Sequence, residues 1–597
     1  MKLPKIAIEN YQFTIVAICA FIFLGIGAML TMPRAEDPGI KGSMGHVIVI
    51  YPGATGDDME KLVTEPIEEA LNELEDIDVI KSNSENSLSW INVRFDFDSE
   101  LDDRFAEVKE TVNALRGSLP SGISSIEVKR EDISNVNVFQ MALVSKTDSF
   151  HDMVKRAEKI KDEIARIDGI KNVEIHGAPD EIVSIEPEIE TLSKMGISPQ
   201  DIVNAVKSYN VNIRGGSLNI GSKKFNVQTS GSYETLDDIK YTVIHAKNGS
   251  PVYIKDVAHV SLAYKDHTYK TRYNSERALL ITAQQKDATD IFGIMENVHQ
   301  IHKKWQTKIE PSMALYLAFD QSLSVEKRIS EFVINLMEGI LLVGIVIFFA
   351  VGYRASAIIM LAIPLSFIIG LGFIDLSGFG IQQMTIAGLV IALGLLVDNA
   401  IVVTENIHKF LKKGYKGTDA AIKATSQVAW PIVSSTATTI LAFLPMMMMQ
   451  NESGDFIRSM PTTVIFTLTA SLIVSLTLTP FLASKFFASK DLDKENKFQN
   501  LLQNVIDIRY RNRLKWSIEN GKSLLLIAIL VLFGSLFFAK YFIGVSMFPK
   551  AEKPQFIVNI ELPKGTSITH TENAVNEVEA VLKKQPEVRY YFSNIGK

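Results

Sequence analysis

Gly394-Leu-Leu-Val-Asp398-Asn399-Ala-Ile-Val-Val-Thr-Glu405-Asn406 sets one aspartate inside an otherwise apolar run that extends from Met384 to Thr404. A run of about 20 apolar residues crosses a hydrocarbon core of about 30 Å as a helix. A carboxylate within such a helix costs roughly 2.5–3.5 kcal/mol on insertion scales, and residues of this kind are rare and mark ion or proton paths. Desolvation favours the neutral form of a carboxyl group and a buried cation favours the charged form. Asp398, held between those two forces, can take up and release a proton. The plainer alternative is a polar contact that only joins two helices. Asn399 lies about 100° further round the helix; it can hydrogen-bond but cannot carry a proton. Glu405, near the end of the run, is read as facing water.

Six further runs share this character: Phe13–Met32, Phe332–Val351, Ala355–Ile374, Val428–Met449, Pro461–Phe486 and Ser523–Ile543. The first competes with a secretory signal peptide, but it is longer than such a core and ends in Met32-Pro33-Arg34, so it reads as a retained helix. Glu338, in the outer half of the second run, is either a second relay carboxylate or an interfacial residue satisfied by water. The 597 residues, 47% apolar and 22% charged, therefore mix membrane spans with stretches as polar as any soluble domain. A net charge of -7 gives no reason to expect nucleic-acid binding. Cys19 is the sole cysteine, so an intrachain disulfide is impossible and a thiolate metal site has almost nothing to draw on.

Loop charges set the orientation. Lys409, Lys412, Lys413, Lys416 and Lys423 follow the fourth run, and Lys485 at the end of the sixth is followed by Lys490, Lys494, Lys497, Arg509, Arg511, Arg513 and Lys515. The positive-inside rule then puts the N-terminus in the cytoplasm and the long polar stretch 33–331 on the outer side, the periplasm of a two-membrane bacterium. Asn496–Trp516 spaces apolar residues among basic ones. It reads as an amphipathic helix, either on the inner membrane face or packed on the bundle's cytoplasmic end.

The outer stretch alternates strand and helix periods. Val47–Tyr51 is a strand, Asp57–Leu74 a helix, Trp90–Phe97 an alternating strand and Leu101–Leu115 a helix. The pattern returns with a strand at Val138–Val144, a helix at Phe150–Ile167, and strands at Val173–His176 and Glu181–Glu186. Such recurrence predicts split βαβ units, and the whole is an α+β membrane protein. Ser217–Val227, rich in Gly and Ser but carrying Leu218, Ile220 and Phe225, predicts an extended hairpin arm. His299 and His302 share a helix face among lysines and are read as solvated.

The chain also repeats itself. Pro33-Arg-Ala-Glu-Asp-Pro38 follows the first run as Pro549-Lys-Ala-Glu-Lys-Pro554 follows the seventh. Pro52-Gly-Ala-Thr55 is echoed by Pro563-Lys-Gly-Thr566, and Ser82-Asn83 by Ser593-Asn594, both 511 residues on. Parallel repeats are a transporter habit. The second copy stops at Lys597 before any second helical block, so the chain is expected to be incomplete as a machine.

The 394–406 run resembles the fourth-helix motif of the resistance-nodulation-division superfamily, closest to its hydrophobe/amphiphile efflux branch. Tyr51-Pro-Gly-Ala54, Leu336-Met-Glu338-Gly-Ile and the order helix, large outer domain, five helices, amphipathic helix, helix resemble it too. The resemblance implies a polytopic inner-membrane bundle with ferredoxin-like porter and docking subdomains. It divides the chain into 1–32 (N-terminus and first span), 33–331 (porter and docking), 332–486 (spans two to six), 487–522 (amphipathic helix and linker), 523–545 (seventh span) and 546–597 (start of a second porter domain). It implies a homotrimer in the bilayer that exports amphiphilic small molecules such as drugs. A periplasmic adaptor and an outer-membrane channel would be its partners, and the proton gradient would drive it without a cofactor. Asp398 takes the place of the family's first relay aspartate and Asn399 that of the second, with Glu338 a further relay candidate. Phe139 and His176 fall where pocket aromatics are common. Heavy-metal efflux would need soft ligands, for which the outer domain offers Met44, Met59, Met141, Met153 and Met195 and no cysteine. A non-pumping lipid-sensing or secretion-assisting relative is the remaining alternative. No nucleophile elbow, H-E-x-x-H or Walker loop is present, so an enzyme is not expected.

Overall fold

Hydropathy marks the apolar centres of the spans, and the helices run past those centres. The computed structural model describes residues 2–40, 42–96, 99–131, 136–210, 213–220, 223–229, 232–247, 250–265, 269–487, 510–543, 555–563 and 565–596. Among them, seven helices are long and apolar enough to cross a membrane: Tyr11–Thr31, Ser322–Phe349, Tyr353–Leu376, Gln383–Lys412, Gly417–Met447, Glu452–Phe486 and Gly521–Ile543. The second span starts ten residues before its apolar run, the fourth ends eight after, and the fifth starts eleven before. These polar turns keep their backbone hydrogen bonds but carry no hydropathy signal. The sixth span is broken at Arg458 and Thr477 into three helices. The seventh has no buried residue. Of the expected amphipathic helix, residues 496–509 lie outside the described residues; Arg511–Glu519 is helical with no buried side chain, and its Leu514 and Trp516 are exposed.

Small residues let the spans approach closely, as apolar helices in lipid require. A Cβ added to Gly25 of the first span would stand 2.0 Å from the Ile368 carbonyl oxygen of the third. One added to Gly388 of the fourth would stand 2.6 Å from the Met460 oxygen of the sixth.

The outer region begins with β1 (Met44–Ile50), a helical stretch Gly56–Leu71, β2 (Ile77–Glu85), β3 (Leu88–Phe95), helix Leu101–Leu115 and β4 (Ser125–Arg130). Its four-stranded sheet runs β2-β3-β1-β4, and each pairing is antiparallel. Alternation in β1 and β3 turns Val47, Val49, Ile91, Val93 and Phe95 onto the helices, where Ile67, Leu71, Val108 and Val112 complete the core. Thr55 starts the first helix with a capping box: its hydroxyl accepts from the Asp58 N–H, and the Asp58 carboxylate accepts from the Thr55 N–H, both at 3.2 Å. The Thr55 hydroxyl also donates to the Asp58 carboxylate at 2.7 Å, and that bond, followed by the one from the Thr55 N–H, holds the Asp58 carboxyl below the usual range. The expected strand Trp90–Phe97 starts two residues earlier and is followed to Phe95; Phe97 lies outside the described residues.

A second unit repeats this plan with β5 (Asn137–Ser145), helix Phe150–Ile164, β6 (Ile170–His176), β14 (Glu276–Gln285), helix Ile291–Lys308 and β15 (Met313–Asp320). Its strands lie in the order β15-β5-β14 with β6 on β14, again antiparallel. An inserted unit separates β6 from β14. It holds β7 (Glu181–Pro187) paired with β12 (Ala258–Tyr264), helices Ile189–Met195 and Pro199–Tyr209, and its own core of Leu192, Ile202, Ile239, Ile254 and Val260. The strand expected at Glu181–Glu186 as part of the strand-helix repeat therefore belongs elsewhere: its partner is β12, 71 or more residues later, which local pattern cannot reveal. The hairpin arm is present as β8 (Ile213–Ile220) against β9 (Lys223–Thr229). β10 (Val243–Lys247) and β11 (Ser250–Tyr253) form another hairpin.

The internal repeat has a structural counterpart. Ser82 Oγ donates to the Glu68 carboxylate, and Ser593 Oγ donates to Glu579 Oε1; both members of the pair are shifted by the same 511 residues. The second copy's strand β16 (Phe592–Ile595) pairs with β13 (Lys270–Tyr273), which stitches the two copies together. Arg272 and Lys270 of β13 ion-pair with Glu572 of the second copy. The Pro549–Pro554 echo lies outside the described residues.

Candidate functional site

Along the fourth span, helical spacing decides which side chains turn inward. Leu389, Ala392, Leu396, Val397, Ala400, Val403 and Ile407 are buried, while Ile391, Leu395, Asp398, Val402 and Glu405 form an exposed stripe three or four residues apart. Asp398 thus sits midway along this 30-residue helix, but its face is left uncovered by the other described spans. The enclosed polar residue is its neighbour. Asn399 is buried, accepting from Thr436 Oγ1 at 3.3 Å on Oδ1 and donating through Nδ2 to Ser471 Oγ at 3.5 Å. Ser471 Oγ in turn donates to the Leu396 carbonyl at 3.0 Å. Asn399 is therefore a tie between spans four, five and six. Its amide is enclosed by two hydroxyls, so at this place the chain has a hydrogen-bonding group and no second titrating one.

Glu338 is also exposed, on the second span. The next residue, Gly339, packs on the fourth span, where an added Cβ would lie 3.0 Å from Leu393 Cδ2. Two carboxylates thus occupy uncovered faces of helices in contact with each other. Glu405 pairs with Lys409 at 2.9 Å, a half-exposed i,i+4 pair at the helix end of the kind that contributes little.

The second outer unit has one helix-covered face and one open face. Phe139 belongs to the first. It is fully buried with Met141, Leu143, Ile160 and Ile281, away from the second face of the sheet. His176 ends β6 opposite Leu280, half-buried on the open face, with Nε2 3.1 Å from Thr282 Oγ1. On that face, Ala142, Val144, Ala278 and Leu280 lie beneath aromatics that sequence reasoning missed. Tyr273 stacks on Tyr316 at 5.0 Å, and its ring is 5.5 Å from Phe592 and 6.1 Å from Tyr590. Burial, then the neighbouring tyrosines, push the Tyr273 hydroxyl's pKa up. Strand parity could have put Tyr316 opposite Leu315 and Leu317, but the pairing of β13 with β16 joins residues more than 300 apart.

His299 and His302 are not simply solvated. His299 Nε2 lies 2.9 Å from Asp320 Oδ2, and His302 Nε2 lies 3.2 Å from the Leu315 carbonyl oxygen. Burial pushes the His302 imidazole's pKa down. Met59, Met141 and Met153, offered above as soft metal ligands, are fully buried in the two outer cores. Among the described residues, no group of three or more His, Cys, Asp or Glu side chains is arranged to hold a metal ion.

Compared with known proteins, residues 3–597 match the sequence model of the AcrB/AcrD/AcrF family. An uncharacterized transporter of Haemophilus influenzae (strain ATCC 51907 / DSM 11121 / KW20 / Rd) is 26% identical over 601 aligned positions, which cover 100% of this chain and 58% of that protein. The chain thus spans a little over half the length of the curated relative it matches.

Proposed function

This chain belongs to the AcrB/AcrD/AcrF family of the resistance-nodulation-division superfamily, and on that premise we propose that it is part of a proton-driven antiporter exporting amphiphilic small molecules. The observation that carries the reading is Asp398, a carboxylate at the middle of a 30-residue membrane helix on an otherwise apolar open stripe. A charge there is tolerated when it faces a cavity or a partner, and such residues serve proton paths. Protonation removes the charge and with it the attraction for a cationic partner, which gives the two states that coupling requires.

The outer units support the same reading. Their β-α-β-β-α-β order, with strands arranged 2-3-1-4, supports ferredoxin-like porter subdomains, and the inserted unit with its long hairpin supports a docking role. The open face bearing Tyr273, Tyr316, Tyr590 and Phe592, with half-buried His176 nearby on the same sheet, offers apolar area with polar tips, as amphiphilic ligands need. Basic loops after the fourth and sixth spans support a cytoplasmic N-terminus in the inner membrane.

The test uses the full-length protein in cells stripped of their own pumps, with and without a periplasmic adaptor and an outer-membrane channel. A fluorescent cationic amphiphile should leave these cells several-fold faster when all three are present, and a protonophore should stop it. Equal efflux with and without the protein would contradict the reading. The proposed homotrimer has its own check. Deleting 217–227 removes most of the β8–β9 hairpin arm, and the full-length protein should then elute as a smaller species in gentle detergent. An unchanged oligomer would count against the arm as a subunit contact.

A further inference from the structure

The chain leaving the first span is tied to the start of the fourth. Ile381 N–H donates to the Pro33 carbonyl at 2.9 Å, Ala35 N–H to Ile381 at 3.3 Å and Gln383 N–H to Glu36 at 3.0 Å. The Arg34 carbonyl accepts from Ile291 N–H at 3.0 Å, at the first turn of a helix in the second outer unit. The Glu36 side chain is only 2% exposed. Its Oε2 accepts from Gln321 Nε2 at 2.6 Å and its Oε1 from Arg328 Nη2 at 3.1 Å. Arg328 Nη1 also donates to Gln383 Oε1 at 2.5 Å.

Two of these residues stand at junctions, and Arg328 lies in the second turn of the second span. Gln321 is the single residue between β15 and the second span, and its N–H donates to the Val138 carbonyl at 2.9 Å, at β5 of the same outer unit. Gln383 is the first residue of the fourth span. One buried carboxylate and one guanidinium therefore join the exit of span one, the entry of span two and the entry of span four to the second outer unit.

Span four can convey a displacement along its length. It contains no proline, whereas spans three and five contain Pro364, Pro431 and Pro445. Between Asp398 and Gln383 lie 15 helical steps, about 22 Å at the ordinary rise. A shift at Asp398 reaches Gln383 through an unbroken hydrogen-bonded rod. There the planar fork of Arg328 must either follow Gln383 and draw on Glu36, or break one of its two charge-assisted bonds. Buried, satisfied polar groups of this kind resist intermediate geometries, because a half-broken set leaves a charge unpaired. The sequence keeps the same Ala-Glu pair after the seventh span, as Ala551-Glu552.

We propose that Glu36 and Arg328 form a coupling clamp that passes the movement of span four to the second outer unit, with Gln383 as its contact on the span. They are positioning residues, and the inference rests on the proton-driven reading given above.

Full-length wild-type protein in liposomes, driven by an imposed pH gradient with a fluorescent amphiphile as cargo, reads that reading itself. The variants, each compared with wild type, read the clamp. Gln383→Ala removes the side-chain acceptor on span four and leaves the bonds of Glu36 to Gln321 and Arg328 in place. Turnover should fall about tenfold or more, with half-saturation and melting temperature close to wild type. Gln383→Glu restores an acceptor for Arg328 and should recover most of the rate. Arg328→Lys replaces the fork by a single point charge that cannot span both partners in the same geometry, so it should assemble and turn over slowly. Wild-type turnover in Gln383→Ala, or a loss that Gln383→Glu does not rescue, would overturn the clamp. A wild type indifferent to the pH gradient would remove the proton-driven reading, and the clamp with it.

Discussion

Asp398→Asn in the full-length protein is expected to abolish efflux while leaving membrane abundance and oligomeric state unchanged. The substitution keeps the volume and the planar shape of the side chain and removes only its titration. Asp398 lies on the open stripe of span four, so the change leaves no cavity and unpairs no group among the described residues. Asn399, one position on, shows how such a helix holds an amide: buried, with hydroxyls of two other spans around it. Insertion should become easier, because an amide costs less in hydrocarbon than a carboxylate. Transport has no substitute for the lost proton site. A positioned proton-transfer group supplies about a hundredfold or more of rate; if Asp398 carries the coupling proton, as proposed, its loss removes all of it. The loss should be the same for every substrate. A loss confined to some substrates would point to a binding role for Asp398 instead.

Gly388→Val should leave almost no folded protein. The added Cβ would stand 2.6 Å from the Met460 carbonyl oxygen and 2.8 Å from Thr463 Cβ, and both belong to a helix that cannot turn aside. Spans four and six would have to separate along their contact, which also holds buried Thr463, Thr467 and Ser471. Overpacking costs about 1–3 kcal/mol where side chains can yield; a clash with backbone on a neighbouring span lies at the upper end or beyond. Gly394→Val is the matched control six residues along the same helix, where an added Cβ meets nothing within 4 Å. Detergent-extracted protein should give a symmetric size-exclusion peak for Gly394→Val and aggregate for Gly388→Val. A well-behaved Gly388→Val would mean that the close approach of these two spans is not required.

Much of this architecture is legible in the residues, and what is not has definite physical causes. The apolar centre of every span stands out, but the polar turns at Ser322–Glu331 and Glu405–Lys412 do not, because helical hydrogen bonding persists after hydropathy ends. Asp398 announces itself as a charge in an apolar run. Whether it or Asn399 turns inward depends on Thr436 and Ser471, which arrive from other spans. Phe139 sits in Val138–Val144, a strand buried on both faces, where no alternation tells one side from the other. The aromatic face needed β13 to meet β16, and the Glu36 clamp draws on residues 36, 321, 328 and 383; both are products of tertiary folding. The repeat is the converse case: the echo of Ser82-Asn83 in Ser593-Asn594 marks a hydrogen bond that recurs in space.

The central claim is that a proton taken up at Asp398 drives export. Its most direct test is paired flux in liposomes containing full-length protein, wild type or Asp398→Asn, with an imposed pH gradient, an amphiphilic cargo and a pH indicator on the opposite side. Wild type should move cargo and protons in opposite directions, stop when a protonophore collapses the gradient, and lose both fluxes in Asp398→Asn. Cargo and proton fluxes in Asp398→Asn equal to those of wild type would contradict the account and leave Asp398 a helix-packing residue.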